Sequence, residues 1–266
     1  EKIRVRYNLK PLNNGGKRWA EGSLFILKGE NKSMQDFDAT LRRIASKTNQ
    51  QISPVASGFS DLGIDLGSNE MEYIAPKRVG LIKSDNASPQ GYGEVWHFFE
   101  QQLQYPITQI SMNRLNDRTL DQFDVLILPP GYYSNFASKD SELLKWIRKG
   151  GRIIALGSAV RAFEGHDSLS LQLKENSDDA NTQNIPFAEG ERNDISSAIY
   201  GSIYAVDVDT THPLAFGYDK HYYSLKNSEV SYSFLDGGNV GKLSKNSKPL
   251  AGFSGNEATK LQSESL

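Results

Sequence analysis

The chain has 266 residues, and its 30 basic and 32 acidic side chains give a formal net charge of -2. A chain so close to neutral has no strong overall field, which argues against binding to nucleic acid or to an anionic membrane surface. Cysteine is absent, so disulfides, thiolate metal sites and cysteine nucleophiles are excluded. No apolar run reaches the roughly 18 residues that a membrane-spanning helix needs.

Residues 1–75 predict a small α/β subdomain. An apolar run, SLFIL, predicts a strand, and a helical pattern follows it with Ser33 in the N-cap position and Asp36 three residues later. A strand followed by a helix is half of a βαβ unit. Pro76 then marks the boundary to a second part, 76–266, whose pattern is more regular.

Apolar runs in the second part alternate with helical patterns. The four predicted strands are 77–83, 107–112, 124–128 and 152–156. The helix after the first strand is expected to begin at Pro89 with Ser88 as its N-cap, and a later helix has Ser138 as its candidate cap. Strands that are apolar throughout and alternate with helices are typical of a parallel sheet covered on both faces. The expected fold class is therefore α/β, with a doubly wound parallel sheet preceded by the small α/β subdomain.

The elements predicted after the fourth strand are different. Residues at about 164–198 are polar and acidic without a period, which indicates a long loop. Strand-like patterns at 199–208 and 222–225 follow the loop. We expect these two strands to form an antiparallel extension.

Three loops follow the carboxyl ends of the predicted parallel strands, at 84–88, 131–134 and 157–160. In open parallel sheets, ligands bind beyond these ends, near the point where the strand order reverses. The sequence therefore predicts a strand-end pocket at these loops. The residues expected to line it are Ser84, Asp85, Asn86, Tyr132 and Ser158.

Ser158 allows two interpretations. It follows an apolar strand in a Gly-Ser-Ala turn that leads into a predicted helix, which is the arrangement of a nucleophile elbow. A serine nucleophile needs a base, which His212 or His166 would supply. In the other interpretation, Ser158 only caps the helix that follows. The catalytic role of Ser158 and His212 is therefore a hypothesis.

Two other patterns fit known sites poorly. Gly91 and Gly93 lie within a helix rather than in the turn before it, and Trp96 stands where a dinucleotide fingerprint needs a small residue. His97 and Glu100 have the spacing of some zinc ligands, but they lie opposite the apolar stripe of their helix. We therefore expect no metal site in this chain.

Seven segments of the chain are similar to one protein family. They are 18–27 (RWAEGSLFIL), 76–82 (PKRVGLI), 91–102 (GYGEVWHFFEQQ), 123–129 (FDVLILP), 144–158 (LKWIRKGGRIIALGS), 199–204 (IYGSIY) with Asp209, and 211–217 (THPLAFG). In the order and spacing of these segments, the chain resembles the carboxyl-terminal part of large bacterial M14-family zinc carboxypeptidases. In that family, a domain similar to class I glutamine amidotransferases follows the peptidase domain.

The resemblance implies a flavodoxin-like sheet from about Pro76 onward, with the first part as a linker subdomain. It also implies an exported parent enzyme, periplasmic or extracellular, whose zinc ligands lie upstream, so no cofactor is expected in this chain. The upstream peptidase domain would be its partner. The family's amidotransferase nucleophile is a cysteine, and Ser158 at the matching position argues against glutamine hydrolysis. Such domains end in a further strand and helix, which the polar sequence after Ala251 does not predict, so we expect the domain to be cut short.

The leading hypothesis is a non-catalytic, amidotransferase-like module of a secreted zinc carboxypeptidase. Its role would be interdomain packing, or binding of a peptide or small molecule at the strand ends. One alternative is a serine hydrolase that uses Ser158 with a histidine base. Another is a domain that binds a sugar or a nucleotide, and the sequence leaves open whether this chain is itself an enzyme.

Overall fold

A computed structural model describes residues 3–133, 136, 142–165, 171–174 and 186–265. Contacts within the chain divide it into two compact units, one through Lys77 and the other from Arg78 onward. The division lies two residues beyond the boundary that the sequence placed ahead of Pro76.

The first unit consists of short antiparallel strands and one longer helix. Strands β1–β6 are Arg6–Asn8, Leu12–Asn14, Lys17–Trp19, Leu24–Phe25, Leu62–Gly63 and Met71–Tyr73, and helix α1 is Phe37–Thr48. The strands form two three-stranded sheets, in the orders β4-β1-β6 and β3-β2-β5. The apolar core of this unit is built from Leu12, Phe25, Leu66 and Met71.

Helix α1 begins later than the sequence predicted. Asn31 turns the chain first, because its backbone carbonyl accepts from the N–H of Met34 at 3.0 Å and its side chain bonds neighbouring backbone groups. Asp36 then occupies the N-cap position, although its carboxylate caps no backbone N–H. The predicted cap at Ser33 was wrong, since this residue lies in a turn outside the helix.

The second unit contains a four-stranded parallel sheet. Its strands are Val79–Lys83 (β7), Ile107–Ser111 (β8), Val125–Leu128 (β9) and Arg152–Ala155 (β10), in the order β10-β9-β7-β8. The helices between them are Pro89–His97 (α2), Asp117–Leu120 (α3) and Glu142–Arg148 (α4), and a π-helical turn, Phe98–Leu103, extends α2. The predicted α/β class with a parallel sheet is confirmed. Ser138, the predicted cap of a later helix, lies outside the described residues.

Side chains of the parallel sheet alternate between two apolar cores, one on each face. In β9, Leu126 and Leu128 pack with Trp146 of α4, whereas Ile127 packs with Val95 of α2. This follows from the period of two in a strand, which sends successive side chains to opposite faces. Because β7 lies between β8 and β9, the strand order reverses at β7 and β9.

An antiparallel sheet follows in the chain. Helix α5 (Phe187–Ser197) precedes strands Ile199–Val208 (β11), His221–Lys226 (β12), Gly241–Lys242 (β13) and Ala251–Ser254 (β14), and helix α6 (Asn256–Gln262) comes last. β12 pairs with β11 on one side, and β13 and β14 pair with it on the other. The two predicted antiparallel strands are confirmed. None of the described helices is long and apolar enough to cross a membrane.

Two predictions about this last part of the chain were wrong. The predicted loop at about 164–198 contains α5, which has no fully buried residue and therefore no apolar stripe that a sequence pattern would reveal. The chain from Ala251 onward forms a short strand and a helix, which its polar sequence did not predict, whereas the expected shortening of the domain stays a prediction. Helix α6 buries Ala258 and Gln262, and a glutamine at a core position hides the helical pattern.

Candidate ligand-binding site at the strand ends

The loops after β7 and β9 meet at the carboxyl edge of the parallel sheet. The Ser88 N–H donates to the carbonyl of Pro130 at 2.7 Å, and the Tyr132 N–H donates to the carbonyl of Asn86 at 3.1 Å. An isolated antiparallel bridge joins the same two loops. The strand order reverses between these strands, so the paired loops lie where open parallel sheets bind ligands.

Ser158 joins the third loop, which follows β10, to the other two. Its hydroxyl oxygen accepts a hydrogen bond from the Gly131 N–H at 3.0 Å. A 3-10 helix, Gly157–Phe163, begins directly after the strand, and Leu156 rather than Ser158 occupies its N-cap position. The capping interpretation of Ser158 was therefore wrong, because the hydroxyl bonds another loop instead of its own helix.

The loops approach each other so closely that two positions require glycine. A Cβ added to Gly131 would lie 2.7 Å from the carbonyl oxygen of Asn86, and one added to Gly91 would lie 2.7 Å from the ring of Pro130. Gly91 therefore lets α2 pack against the loop after β9. This close packing accounts for a glycine at position 91, so a dinucleotide-binding role is not needed to explain it. The predicted N-cap of α2 is confirmed, since the Ser88 hydroxyl accepts from the Gly91 N–H at 3.2 Å.

Three of the predicted site residues present exposed polar groups at this edge. Asp85, Asn86 and Tyr132 are exposed, and Tyr132 is 69% exposed. Ser84 is half-buried, and its hydroxyl accepts from the Asn86 N–H at 3.3 Å, so it shapes the loop. The edge thus offers a carboxylate acceptor, an amide that donates and accepts, and an aromatic ring with a hydroxyl.

Tyr133 supports this edge from within the core. Its hydroxyl donates to the carbonyl of Pro129 at 2.8 Å, and its ring packs against Phe136. Burial raises the pKa of Tyr133 to about 12, so the phenol stays neutral and keeps its proton as a donor. The sequence reasoning did not single out Tyr133. The available signal was a second aromatic residue directly after the Pro-Pro-Gly turn.

The two candidate bases for Ser158 are not joined to it by hydrogen bonds of the described residues. His212 begins a separate 3-10 turn, where its Nδ1 accepts from the Leu214 N–H at 3.1 Å. His166 lies outside the described residues. In a nucleophile elbow, the nucleophile itself has the strained backbone conformation. Here Gly157, one residue before Ser158, has the left-handed backbone, with a φ of 53°. A serine–histidine pair therefore stays a prediction.

The possible zinc ligands lie away from the strand-end loops. His97 and Glu100 are exposed, at the end of α2 and in the π-helical turn after it. Because α2 begins at the loop after β7, His97 lies roughly 12 Å farther along the helix axis, and Glu100 lies beyond it. In the part of the chain that the structure describes, no group of three or more His, Asp or Glu side chains is arranged to hold a metal ion.

Comparisons with known proteins assign no family to the chain. No protein-family model matches it. A search of curated proteins gave no significant match. The resemblance to M14-family carboxypeptidases therefore stays a prediction, and the function is inferred from the strand-end geometry.

Proposed function

We propose that this chain is a non-catalytic, amidotransferase-like module that binds a peptide or a small polar molecule at its strand ends. In this proposal it belongs to an exported zinc carboxypeptidase of the M14 family, whose peptidase domain is its partner and holds the zinc. The parentage is inferred from the sequence segments. The observation that carries the non-catalytic assignment is the 3.0 Å hydrogen bond from the Gly131 N–H to the Ser158 hydroxyl.

The strand order supports the amidotransferase-like part of the proposal. The order β8-β7-β9-β10 corresponds to the first four strands of the flavodoxin-like order 2-1-3-4-5. In that arrangement the ligand site lies between the first and third strands, which here are β7 and β9. The loops after these two strands carry Asp85, Asn86 and Tyr132.

The environment of Ser158 supports a role in structure rather than in nucleophilic catalysis. An amidotransferase needs a cysteine at this turn, and the chain has none. A nucleophile elbow aims its side chain outward from strained backbone, whereas here glycine takes the left-handed conformation one residue earlier. The Ser158 hydroxyl instead braces the loop after β9.

The exposed side chains define the chemistry of the ligand. Asp85 accepts hydrogen bonds, Asn86 both donates and accepts, and the Tyr132 ring offers an apolar face next to a hydroxyl. A short peptide provides N–H donors, carbonyl acceptors and side chains that match this set. A sugar provides hydroxyl groups and one apolar ring face, and the binding experiment compares these two ligand classes.

Thermal unfolding of the whole chain tests the binding site. The probes are short peptides with free carboxyl termini and a set of mono- and disaccharides. A ligand present at 100 times its Kd adds about 2.7 kcal/mol to the free energy of unfolding. For a chain of this size, that raises Tm by about 5–10 °C.

Two variants show whether a shift in Tm comes from the strand ends. Asn86→Ala combined with Tyr132→Ala should abolish the shift. The matched control, Tyr218→Ala, removes a similarly exposed tyrosine outside the strand-end loops and should keep it. The proposed binding site is wrong if no probe raises Tm, or if the shift survives the double variant.

Two further measurements test the non-catalytic assignment and the parentage. Zinc-dependent release of carboxyl-terminal residues by this chain alone would contradict the assignment. Fluorophosphonate labelling that Ser158→Ala abolishes would instead favour the serine hydrolase. The surrounding reading frame should encode an H-x-x-E pair and a later histidine upstream of this chain, and a frame without them would contradict the parentage.

A further inference from the structure

Around Tyr204, the antiparallel sheet has one buried and one exposed face. In β11, Ser202 and Tyr204 are fully buried, whereas Tyr200 and Ile203 are exposed. Gly201, with a φ of 112°, lies where the register with β14 shifts. Such a bulge adds one residue, so that Tyr200 and Ile203 project from the same face although they are three positions apart.

Cross-strand register extends the exposed face over the neighbouring strands. Ile203 is directly opposite Leu225, and Ala205 is opposite Tyr223. Opposed residues project from the same face of a sheet. A phenylalanine of β14 stacks on Tyr200, with ring centroids 5.9 Å apart. We call this surface the outer face, and it consists of Tyr200, Ile203, Ala205, Tyr223, Leu225, Ala251 and Phe253.

The outer face has the size of one side of a stable protein interface. Tyr200, Tyr223 and Leu225 are 73%, 64% and 68% exposed. Since a covered aromatic side chain buries 150–250 Å², the three partly exposed rings and the four aliphatic side chains of the outer face together expose roughly 600–700 Å². This lies within the range of about 600–1,000 Å² that each partner contributes to a stable interface. Contiguous apolar patches of this size mark interaction sites.

We propose that a second copy of this chain covers the outer face, so that two copies form a symmetric dimer. Two such faces together bury about 1,200–1,400 Å², which lies within the range of about 1,200–2,000 Å² for stable interfaces. Aligned sheets stack about 10 Å apart, and their inner side chains interdigitate. A twofold interface of this kind is closed and ends at two copies.

The charges at the ends of the outer face fix the direction of the twofold axis. One end carries the stacked rings of Tyr200 and Phe253. The other end carries Asp207, paired with His221 at 3.0 Å, and the exposed Lys242 on the opposite strand. An axis that crosses the strands exchanges the ends and lays Lys242 of each copy against the rings of the other, which is a favourable cation–π arrangement. An axis along the strands would instead join like ends and leave Lys242 of each copy without these rings.

Light scattering of the full chain after size exclusion tests the dimer. Wild-type protein should show twice the 29.6 kDa of the chain at about 100 µM, where a micromolar Kd leaves most copies paired. Leu225→Asp should halve the mass, because it buries an unpaired charge at the interface. Leu214→Asp is the matched control, since Leu214 is 77% exposed outside the outer face, and it should stay dimeric.

Thiol labelling tests the same face with a change too small to unfold the sheet. The chain has no cysteine, so Ala205→Cys introduces a unique thiol at the centre of the outer face. Its maleimide labelling should slow about five- to tenfold between 1 and 100 µM protein for a micromolar Kd. Leu214→Cys should react equally fast at both concentrations.

The outcomes decide the proposal independently of the strand-end site. A wild-type monomer at about 100 µM would overturn it and leave the outer face to a different protein. A dimer that survives Leu225→Asp, or labelling of Ala205→Cys that does not depend on concentration, would place the contact elsewhere and overturn it too. The ligand-induced shift in Tm depends on Asp85, Asn86 and Tyr132, none of which belongs to the outer face, so its outcome does not depend on the dimer.

Discussion

The Ser158 hydroxyl accepts a hydrogen bond from the Gly131 N–H at 3.0 Å, and this contact ties the loop after β10 to the loop after β9. Gly131 is buried and lies beyond the end of its strand, so its N–H has no partner in the parallel ladder. Buried backbone donors without a partner are costly. Ser158 therefore has a structural role at the position where the sequence allowed either a nucleophile or a helix cap.

Replacing Ser158 by alanine should destabilise the second unit modestly. The change removes the acceptor of the Gly131 N–H, and a typical hydrogen bond contributes about 1 kcal/mol. Water can replace part of this bond because Ser158 is exposed. We therefore expect the free energy of unfolding in urea to fall by about 1 kcal/mol.

Two further substitutions at position 158 test whether the hydroxyl group itself is required. Ser158→Thr keeps an acceptor and should stay close to wild-type stability. Ser158→Cys restores the residue type of an amidotransferase, but it should release no ammonia from glutamine because the backbone strain lies at Gly157. Unchanged stability of Ser158→Ala would show that the hydroxyl does not brace the loops.

Gly131→Ala should be more destabilising than Ser158→Ala. The added Cβ would lie 2.7 Å from the Asn86 carbonyl oxygen and 2.8 Å from the Cα of Ala87, and both contacts are with backbone. Since the loops must move apart, we expect a loss of about 1–3 kcal/mol in the free energy of unfolding. The same variant should weaken binding of any ligand found at the strand ends.

Gly93→Ala is the matched control for Gly131→Ala. Gly93 lies inside α2, and a Cβ there would meet nothing within 4 Å. Alanine in a helix interior is favoured over glycine by roughly 0.5–1 kcal/mol, so this variant should be stabilised. Equal effects of the two substitutions would show that the close approach of the loops does not exist in solution.

Local signals predicted the parallel sheet because each strand is a short apolar run with a turn at its end. Ser88 and Pro89 are an example: a cap residue followed by proline specifies a helix start with no information from the rest of the fold. Ser33 has a weaker local signal, Asp36 three residues later and no proline, and this prediction failed because the backbone of Asn31 turns the chain first. The two sites differ in the contacts of Asn31, whose side chain bonds the distant backbone of Arg4 and whose carbonyl bonds Met34 within the turn.

The contacts of the candidate site were less predictable than the strands. The sequence placed Ser158 at the correct edge, since the carboxyl ends of parallel strands meet there. It could not show that the partner is the backbone N–H of Gly131, because backbone groups are the same at every position. Helices α5 and α6 were missed because neither has an apolar stripe: α5 has no fully buried residue, and α6 buries a small residue, Ala258, and a polar one, Gln262.

A network of hydroxyl groups joins β11 to β14 and α6 and should stabilise the antiparallel sheet. The Tyr204 hydroxyl donates to Ser254 Oγ at 3.0 Å, and Ser254 bonds the hydroxyl of Thr259 in α6 at 2.8 Å. We expect Tyr204→Phe and Ser254→Ala each to lower the free energy of unfolding by about 1 kcal/mol. The double variant should lose less stability than the sum of the two single changes, because each change removes the same hydrogen bond between Tyr204 and Ser254. Additive effects in urea denaturation would contradict the network.

Asp207 should make the antiparallel sheet sensitive to acid. The Ser244 hydroxyl donates to its carboxylate, and His221 Nδ1 lies 3.0 Å from Oδ1. The hydrogen bond from Ser244, aided by His221, lowers the pKa of Asp207 below its usual value of 3.8. Because the folded pKa is lower than the unfolded one, Asp207 stabilises the fold above about pH 4, and this contribution is lost as the pH falls through the folded pKa.

The measurement is urea unfolding at a series of pH values, at a protein concentration low enough to keep any dimer dissociated. Below about pH 4, the free energy of unfolding should fall less steeply for Asp207→Asn than for wild type. Ser244→Ala removes the hydroxyl donor while keeping the carboxylate, so it should raise the pKa of Asp207 toward its ordinary value. NMR titration of the Asp207 carboxyl checks this shift directly. Parallel curves for wild type and Asp207→Asn would mean that Asp207 does not contribute to the acid sensitivity of the fold.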